Sequence, residues 1–389
     1  MDNIAGEDSV GNIIGFSGVM KILICTNNYR QGGVARTLQF YLAKMGEAGF
    51  DIDVFCLDPH GPYLGKYQGC KILQKDKWIS SLLCYRDESS WLSLAIKACR
   101  AFCKKLFKKD ILHWFLSRRA KNLQGQYDVA FAWSEGEADL LVQRMTGPLK
   151  LARIHNDYRF DPPTHGADFS LFDNIICVSH SSSRSFISLY PDLKDKVKVI
   201  HNLLTADNVK KQAQEPIEDD LFQKNGKTLV SVGRIDYPKH FDIIPEIAAQ
   251  LKAKGLEFRW FVVGGGRGVL KQEVEDNIVK YGVQNEVVLL GNRNNPYPYV
   301  AAADLYVLTS RFDCYPTVVN EALLLGKPVV ASDIPVAPEM VAPENGRVVP
   351  YDKMADAIYD LLMNPIVPDF KDHTEDAIER YRLLFEGKL

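Results

Sequence analysis

Residues 21–58 read KILICTNNYRQGGVARTLQFYLAKMGEAGFDIDVFCLD. KILICTNNY opens this stretch as a short apolar strand. Gln31, Gly32 and Gly33 supply a turn, and Val34, Leu38, Tyr41, Leu42 and Met45 then recur at helical spacing. Gly49 ends that helix and DIDVFCL forms a second strand. Strand, glycine turn, helix, strand is the grammar of a parallel α/β unit.

The pattern continues outward. YDVAFAWS (127–134), LKLARIHND (149–157), NIICVSHS (174–181) and KVKVIHNLL (196–204) add strands to the first half. A polar stretch follows, and the grammar then restarts. TLVSVGRID is a strand, FDIIPEIAAQLKAKG a helix with Pro245 in its first turn, and FRWFVVGGG a strand ending in glycines. NEVVLLGN and AADLYVLTS are strands, a helix begins at about Thr317, and KPVVASD is another strand. The expected division is a flexible extension over 1–19, a first Rossmann-like domain over 20–205, a linker over 206–227 and a second domain over 228–370. Residues 371–389 form a final helix. Two doubly wound sheets place ligands outside the carboxyl ends of their strands, so the active site is expected in the cleft between the domains.

At 389 residues and 46% hydrophobic content the chain is sized for two domains. A net charge of -2 gives no footprint for nucleic acid. The eight cysteines follow no CxxC spacing, and Cys25, Cys56 and Cys177 sit in apolar strand runs. A reduced, cytoplasmic protein is expected. No signal peptide is expected from the acidic first 19 residues, and no run of 18 apolar residues is present. The acids of DID at 51–53 resemble a metal motif but lie in an alternating strand, and no metal site is assigned to them.

The chemistry concentrates in SRFDCYPTVVNEALLLG (310–326). The N–H groups that open the helix after Pro316, with its dipole, suit a phosphate. Glu321 lies about one turn into that helix, and Asp313 lies eight positions earlier in the preceding loop. Arg234 and Lys239, in VGRIDYPKH, bring two positive charges from another strand end. Gly264, Gly265 and Gly266 allow a close approach of backbone. Each feature alone is commonplace; the ordered set is not.

That set resembles the retaining glycosyltransferases of family 4, which have the two-domain GT-B fold. SVGRIDYPKH, FVVGGG, SRFDCYPTVVNEALLLGKPVVASD and PEMVAPENGRVVP carry the resemblance in the second half. YRQGGVARTLQFYLAKM, RIHND, CVSHSS and VKVIHNLL carry it in the first, so that it covers residues 20–389. It implies that Arg234 and Lys239 hold a donor diphosphate and that backbone around Pro316, Thr317 and Val318 meets the phosphates. Glu321 then matches the acid that binds ribose hydroxyls, and Asp313 an acid facing the donor sugar, where the family usually has Glu. Gly33 and Gly265 bring loops up to the donor, and His155 stands at the reaction centre. Glu339 and Gly346 fit the loop and turn that follow. The aspartate reaches about 1.3 Å less than a glutamate, and Cys314 replaces a common glycine.

The resemblance implies transfer of a sugar from a UDP- or GDP-sugar, with retention and without a further cofactor, to a glycan or lipid-linked acceptor. It also implies that the last helix packs back on the first domain. A basic, aromatic helix over 99–121 is read either as a surface for an anionic membrane at the inner face of the cell, or as a charged face over an ordinary core stripe. A non-catalytic nucleotide-sugar sensor and a nucleotide-sugar epimerase are the alternative functions.

Overall fold

The computed structural model describes residues 19–28, 32–59, 67–83, 91–107, 110–223 and 225–389. The expected extension over 1–19 falls almost wholly outside them, as do Tyr29, Arg30 and Gln31 of the first glycine turn.

Seven strands form the first sheet: β1 (Lys21–Asn28), β2 (Asp51–Asp58), β3 (Lys71–Ile72), β4 (Val129–Ala132), β5 (Leu149–Ile154), β6 (Asn174–Cys177) and β7 (Val197–Val199). Their order is β3-β2-β1-β4-β5-β6-β7, with every pair parallel. Six strands form the second: β8 (Lys227–Val232), β9 (Phe258–Val263), β10 (Val287–Gly291), β11 (Leu305–Leu308), β12 (Val329–Ser332) and β13 (Gly346–Val349). Their order is β10-β9-β8-β11-β12-β13, again all parallel. The continuous apolar runs ILIC, VAFA and LYVL are buried on both faces, as parallel sheets covered by helices require.

Each sheet has one place where the strand order reverses: between β1 and β4 in the first, between β8 and β11 in the second. Loops leaving neighbouring strands there run to opposite faces and open a crevice.

The stretch 206–227, expected as a linker, carries a helix, Ala206–Gln212, whose Val209 is buried with Phe40, Leu204 and Tyr297. Further on, the helix Thr374–Phe385 puts Ala377, Ile378, Tyr381, Leu384 and Phe385 into the core of the first sheet, beside Tyr41 and Phe131. Thr374 fixes its entry by exchanging hydrogen bonds with the backbone of Leu204, at 3.0 and 3.1 Å.

The single helix expected over 99–121 is two helices, Trp91–Phe107 and Ile111–Leu123. Asp110 breaks them. Its carboxylate caps the second helix by accepting from the Leu112 N–H at 3.0 Å, and Arg100 holds it with paired bonds of 2.9 and 2.7 Å. Hydrophobic periodicity across 99–121 carried no sign of that break.

Candidate functional site

A cleft of about 860 Å³ opens between the domains, lined from both. In the second domain the reversal point builds it. The chain leaving β8 passes Gly233 and Arg234 to a short 3-10 turn, Tyr237–Lys239. The chain leaving β11 passes Thr309 to Pro316 and enters the helix Thr317–Leu324. Because β8 and β11 are neighbours, the two loops bond to each other. Arg311 N–H donates to Pro238 O at 2.8 Å, and Thr309 Oγ1 donates to Lys239 O at 2.9 Å. His240 turns the chain just after Lys239 at φ 53°, the one non-glycine left-handed residue among those described. Lys239 Nζ thereby reaches Asp313 Oδ2 at 2.5 Å, with both side chains about one-fifth exposed. Arg234 stands out in the cleft, 76% exposed, beside Asp236 at 3.0 Å.

The glycines after β9 have distinct reasons. A Cβ on Gly264, at φ 150°, would lie 1.8 Å from Gly233 O, and one on Gly266 would lie 2.5 Å from Ile235 Cβ. Both therefore serve the packing of the β8 loop. Gly265 lines the cleft, with its N–H on Asn292 Oδ1 at 2.8 Å. By contrast a Cβ on Gly32 or Gly33 would meet nothing within 4 Å. Those glycines leave open space at the cleft wall rather than relieve a clash.

Pro316, Thr317 and Val318 line the cleft at a helix start that has no side-chain cap. Glu321 lies deeper. It is 2% exposed, accepts from Tyr297 Oη at 3.3 Å, and lies 3.9 Å from Arg36 of the first domain. It is absent from the residues lining the open cleft, whereas Arg36 lines it.

The first domain contributes His155, at the end of β5. Its Nε2 lies 2.9 Å from Trp133 O. A carbonyl only accepts, so Nε2 carries the hydrogen and Nδ1 is left as an acceptor. Burial, with Arg153 behind, holds this imidazole well below the ordinary histidine range, so the ring is neutral. Asn156, Asp157 and Asn202 complete that wall. Burial and the nearby Asp313, Asp157 and Glu135 push the Cys314 thiol well up, which keeps it protonated. Asp53 of the DID triplet accepts from Tyr127 Oη at 2.6 Å.

Contacts across the cleft tie the halves together. Glu339 accepts from His180 N–H at 2.8 Å and Ser181 N–H at 2.7 Å, so a second-domain carboxylate caps the first-domain helix His180–Leu189. His201 stacks on Tyr315 at 4.9 Å, and Phe160 stacks on Phe312 at 4.8 Å. Sequence reasoning named Arg234, Lys239, Asp313, the helix start, Gly33, Gly265 and His155, and the fold brings all of these to one cleft. It missed Arg36, Asp157 and Glu135. No local motif marks Arg36 or Glu135, whose partners are far away in the chain, and the partner of Asp157 is Arg159, two residues on, a pair that belongs to no motif.

Comparison with known proteins agrees with this geometry. Residues 226–364 match the model of the family described as Glycosyl transferases group 1. A glycosyltransferase of Methanocaldococcus jannaschii, itself uncharacterised, is 27% identical over 207 residues, 52% of this chain and 50% of that protein. The N-acetylgalactosamine-N,N'-diacetylbacillosaminyl-diphospho-undecaprenol 4-alpha-N-acetylgalactosaminyltransferase of Campylobacter jejuni is 30% identical over 138 residues, 36% of this chain and 35% of that protein. The chain thus matches half or less of the length of these curated relatives. Among solved structures, Anabaena HepE in complex with UDP and glucose superposes with a TM-score of 0.65 at 18% identity, covering 95% of both chains. An S. aureus TarM variant in complex with fondaparinux, α-GlcNAc-glycerol and UDP superposes with a TM-score of 0.71 at 14% identity, covering 94% of this chain and all of that one. Residues 226–364 therefore carry the sequence pattern of group 1 glycosyl transferases, on a chain whose two facing Rossmann-like domains take the fold of the GT-B glycosyltransferases.

Proposed function

We propose that this protein transfers a sugar from a nucleotide-diphosphate donor to a glycan or lipid-linked acceptor, with retention of configuration. The observation that carries the reading is the junction of Lys239, Arg234 and the uncapped start of the helix Thr317–Leu324 on one side of a cleft. They aim positive potential at one place, where a departing diphosphate would develop charge. The neutral His155 offers Nδ1 as an acceptor to a sugar hydroxyl, and Gly32 and Gly33 leave room for the sugar. Asp313 holds Lys239 until phosphate competes for it. It faces the donor sugar as a carboxylate one methylene shorter than glutamate, and sugar selectivity is assigned to it. Retention follows from front-face attack, in which the leaving phosphate takes the acceptor proton; no covalent nucleophile is needed.

The donor is a UDP- or GDP-sugar. UDP is the first to test, because two similar structures, HepE and the TarM variant, are described with it. Thermal unfolding with UDP, GDP and ADP and their sugars selects the base, since a ligand of the native state raises its apparent stability. The product anomer is then read by NMR. A shift with one base and a product of unchanged configuration is expected. Inversion would remove the front-face route, and binding without turnover on any acceptor would leave a nucleotide-sugar sensor.

A second observation bears on the acceptor. Phe102, Leu106, Trp114 and Trp78 are 58–63% exposed beside the exposed Lys104, Lys105, Arg118 and Lys121. Trp78 stacks on Phe115, and Phe115 meets Trp114 edge-on. Among the described residues no helix is long and apolar enough to cross a membrane. This basic, aromatic surface is assigned to an anionic bilayer at the cytoplasmic face. Sedimentation with phosphatidylglycerol vesicles is expected, with loss in Trp78→Ser/Trp114→Ser; equal binding to phosphatidylcholine would overturn it.

A further inference from the structure

Glu135 plays no part in the reading above, yet it touches the backbone of the one first-domain side chain assigned to the reaction. We propose that Glu135 is a positioning residue: its carboxylate clamps the backbone N–H groups of His155 and Asn156 so that the imidazole is presented to the donor sugar. The proposal rests on the reading of the cleft as a sugar-transfer site.

The geometry is particular. β4 and β5 run side by side, with Ala132 opposite Ala152, and leave the sheet together beside its reversal point. Beyond the last ladder bond the N–H groups of the β5 exit need another acceptor. Glu135 Oε1 takes two of them, from His155 at 2.8 Å and Asn156 at 2.9 Å. Its own loop is anchored by Asn27 at the end of β1. Asn27 Nδ2 donates to Glu135 O at 2.6 Å, Asn27 Oδ1 accepts from Ala138 N–H at 2.8 Å, and Asn27 N–H donates to Ser134 Oγ at 2.9 Å. Gly136 is obligatory in this arrangement. At φ 120° any Cβ there would lie 2.8 Å from Asn27 Nδ2.

His155 is therefore held twice, by its backbone through Glu135 and by its ring through Trp133 O. Three strand exits, from β1, β4 and β5, are locked into one unit under the cleft. None of these bonds reaches the second-domain groups that would hold the diphosphate.

The clamp is also placed to respond to pH. Burial and the neighbouring Asp139 carboxyl push Glu135 up to about 7, against the backbone N–H bonds that favour its charged form. Arg153 and His155 on or next to β5, His165 and Tyr158 in the loop beyond, Cys177 on β6 and Cys314 from the second domain are the other titratable groups around it. Protonation converts a charge-assisted acceptor into a weaker neutral one.

Full-length Glu135→Ala and Glu135→Gln test this with UDP-sugar binding, the pH profile of kcat and the His155 ring resonances in histidine-labelled protein. Loosening a reacting group can cost about 10- to 100-fold, so Glu135→Ala is expected to lose about that in kcat while donor Kd stays within about twofold. Glu135→Gln, a neutral acceptor like the protonated carboxyl, is expected to hold kcat near the level to which the wild type is expected to drop below about pH 7, and to show no such drop itself. Equal losses in kcat and donor affinity, or a wild-type acid limb in Glu135→Gln, would overturn the clamp. If Glu135→Ala does not fold, the Glu135→Gln profile decides. If the wild type transfers no sugar, the transfer reading fails. The clamp is then judged by the His155 resonances, which must move in Glu135→Gln.

Discussion

The two sheets reverse their strand order in the same way, but the crevices at the two reversal points are made differently. Beside β8 and β11 the chemistry comes from two short contiguous segments, 233–239 and 313–318, whose charged groups meet each other directly. Beside β1 and β4 little of the chemistry is contiguous. His155 leans on Glu135 and Trp133, the Glu135 loop leans on Asn27, and Arg36 pairs with Glu321 of the other domain. On the proposed reading the second crevice takes a phosphate, which is large, charged and satisfied by any convergent set of donors, so a motif suffices. Presenting a single neutral imidazole needs a scaffold of long-range bonds.

Substitutions at the second crevice test whether it really carries the larger energies. Lys239→Ala is expected to have the greatest effect, about 10²- to 10³-fold in kcat for UDP-sugar turnover, since it removes one preorganised donor to the leaving group. A loss under threefold would move the diphosphate away from the β8–β11 reversal point. Glu321→Gln comes next. It keeps the bond from Tyr297 but ends the 3.9 Å ion pair with the cleft-lining Arg36, and removing the charge of a buried ion-pair partner is expected to cost about tenfold in donor Kd by calorimetry. If Arg36→Met gives the same loss and the double variant adds nothing, the pair acts as one unit across the domains.

Asp313→Asn is smaller and opposite in sign. Without the carboxylate, Lys239 no longer has to exchange a partner for phosphate. Free UDP is then expected to bind about two- to fivefold more tightly, in line with a partly exposed ion pair, while turnover falls. Tighter binding with unchanged turnover would show that Asp313 does not face the sugar.

The first crevice is probed most gently by pH. The Glu135 carboxyl is raised above its unfolded value of 4.5 to about 7. The native state therefore binds the proton more tightly, and the resulting stabilisation, complete below pH 4.5, is lost as pH rises through 7. Glu135→Gln does not titrate. Its Tm relative to wild type is expected to climb by about 1–3 °C between pH 5 and 8. A flat difference would mean that Glu135 is ionised throughout. A carboxylate kept at a stability cost above neutral pH is what a functional position leads one to expect.

Much of the architecture was legible. Apolar runs such as ILIC and LYVL followed by turns and helical spacing announce parallel strands, because a strand buried on both faces has little room for polar side chains. Lys239, Arg234 and Asp313 were legible because the residues that turn a strand end toward the cleft lie beside them. The break at Asp110 was not, since capping by Asp110 and its grip by Arg100 leave no trace in the periodicity. Nor was the retreat of Glu321 behind the cleft wall, which depends on Tyr297 and Arg36.

The sequence by itself determined two parallel α/β units, the cleft-lining segments of the second domain and the place of His155 at a strand end. These follow from local properties: side-chain period, backbone freedom at glycine, and orphan N–H groups at a helix start. Only the tertiary structure decided what holds His155, what Glu321 faces, and that Glu339 of one domain caps a helix of the other. Those contacts join residues far apart in the chain. Their energy depends on a desolvated meeting of charges and N–H groups that exists only once both sheets are built and brought face to face.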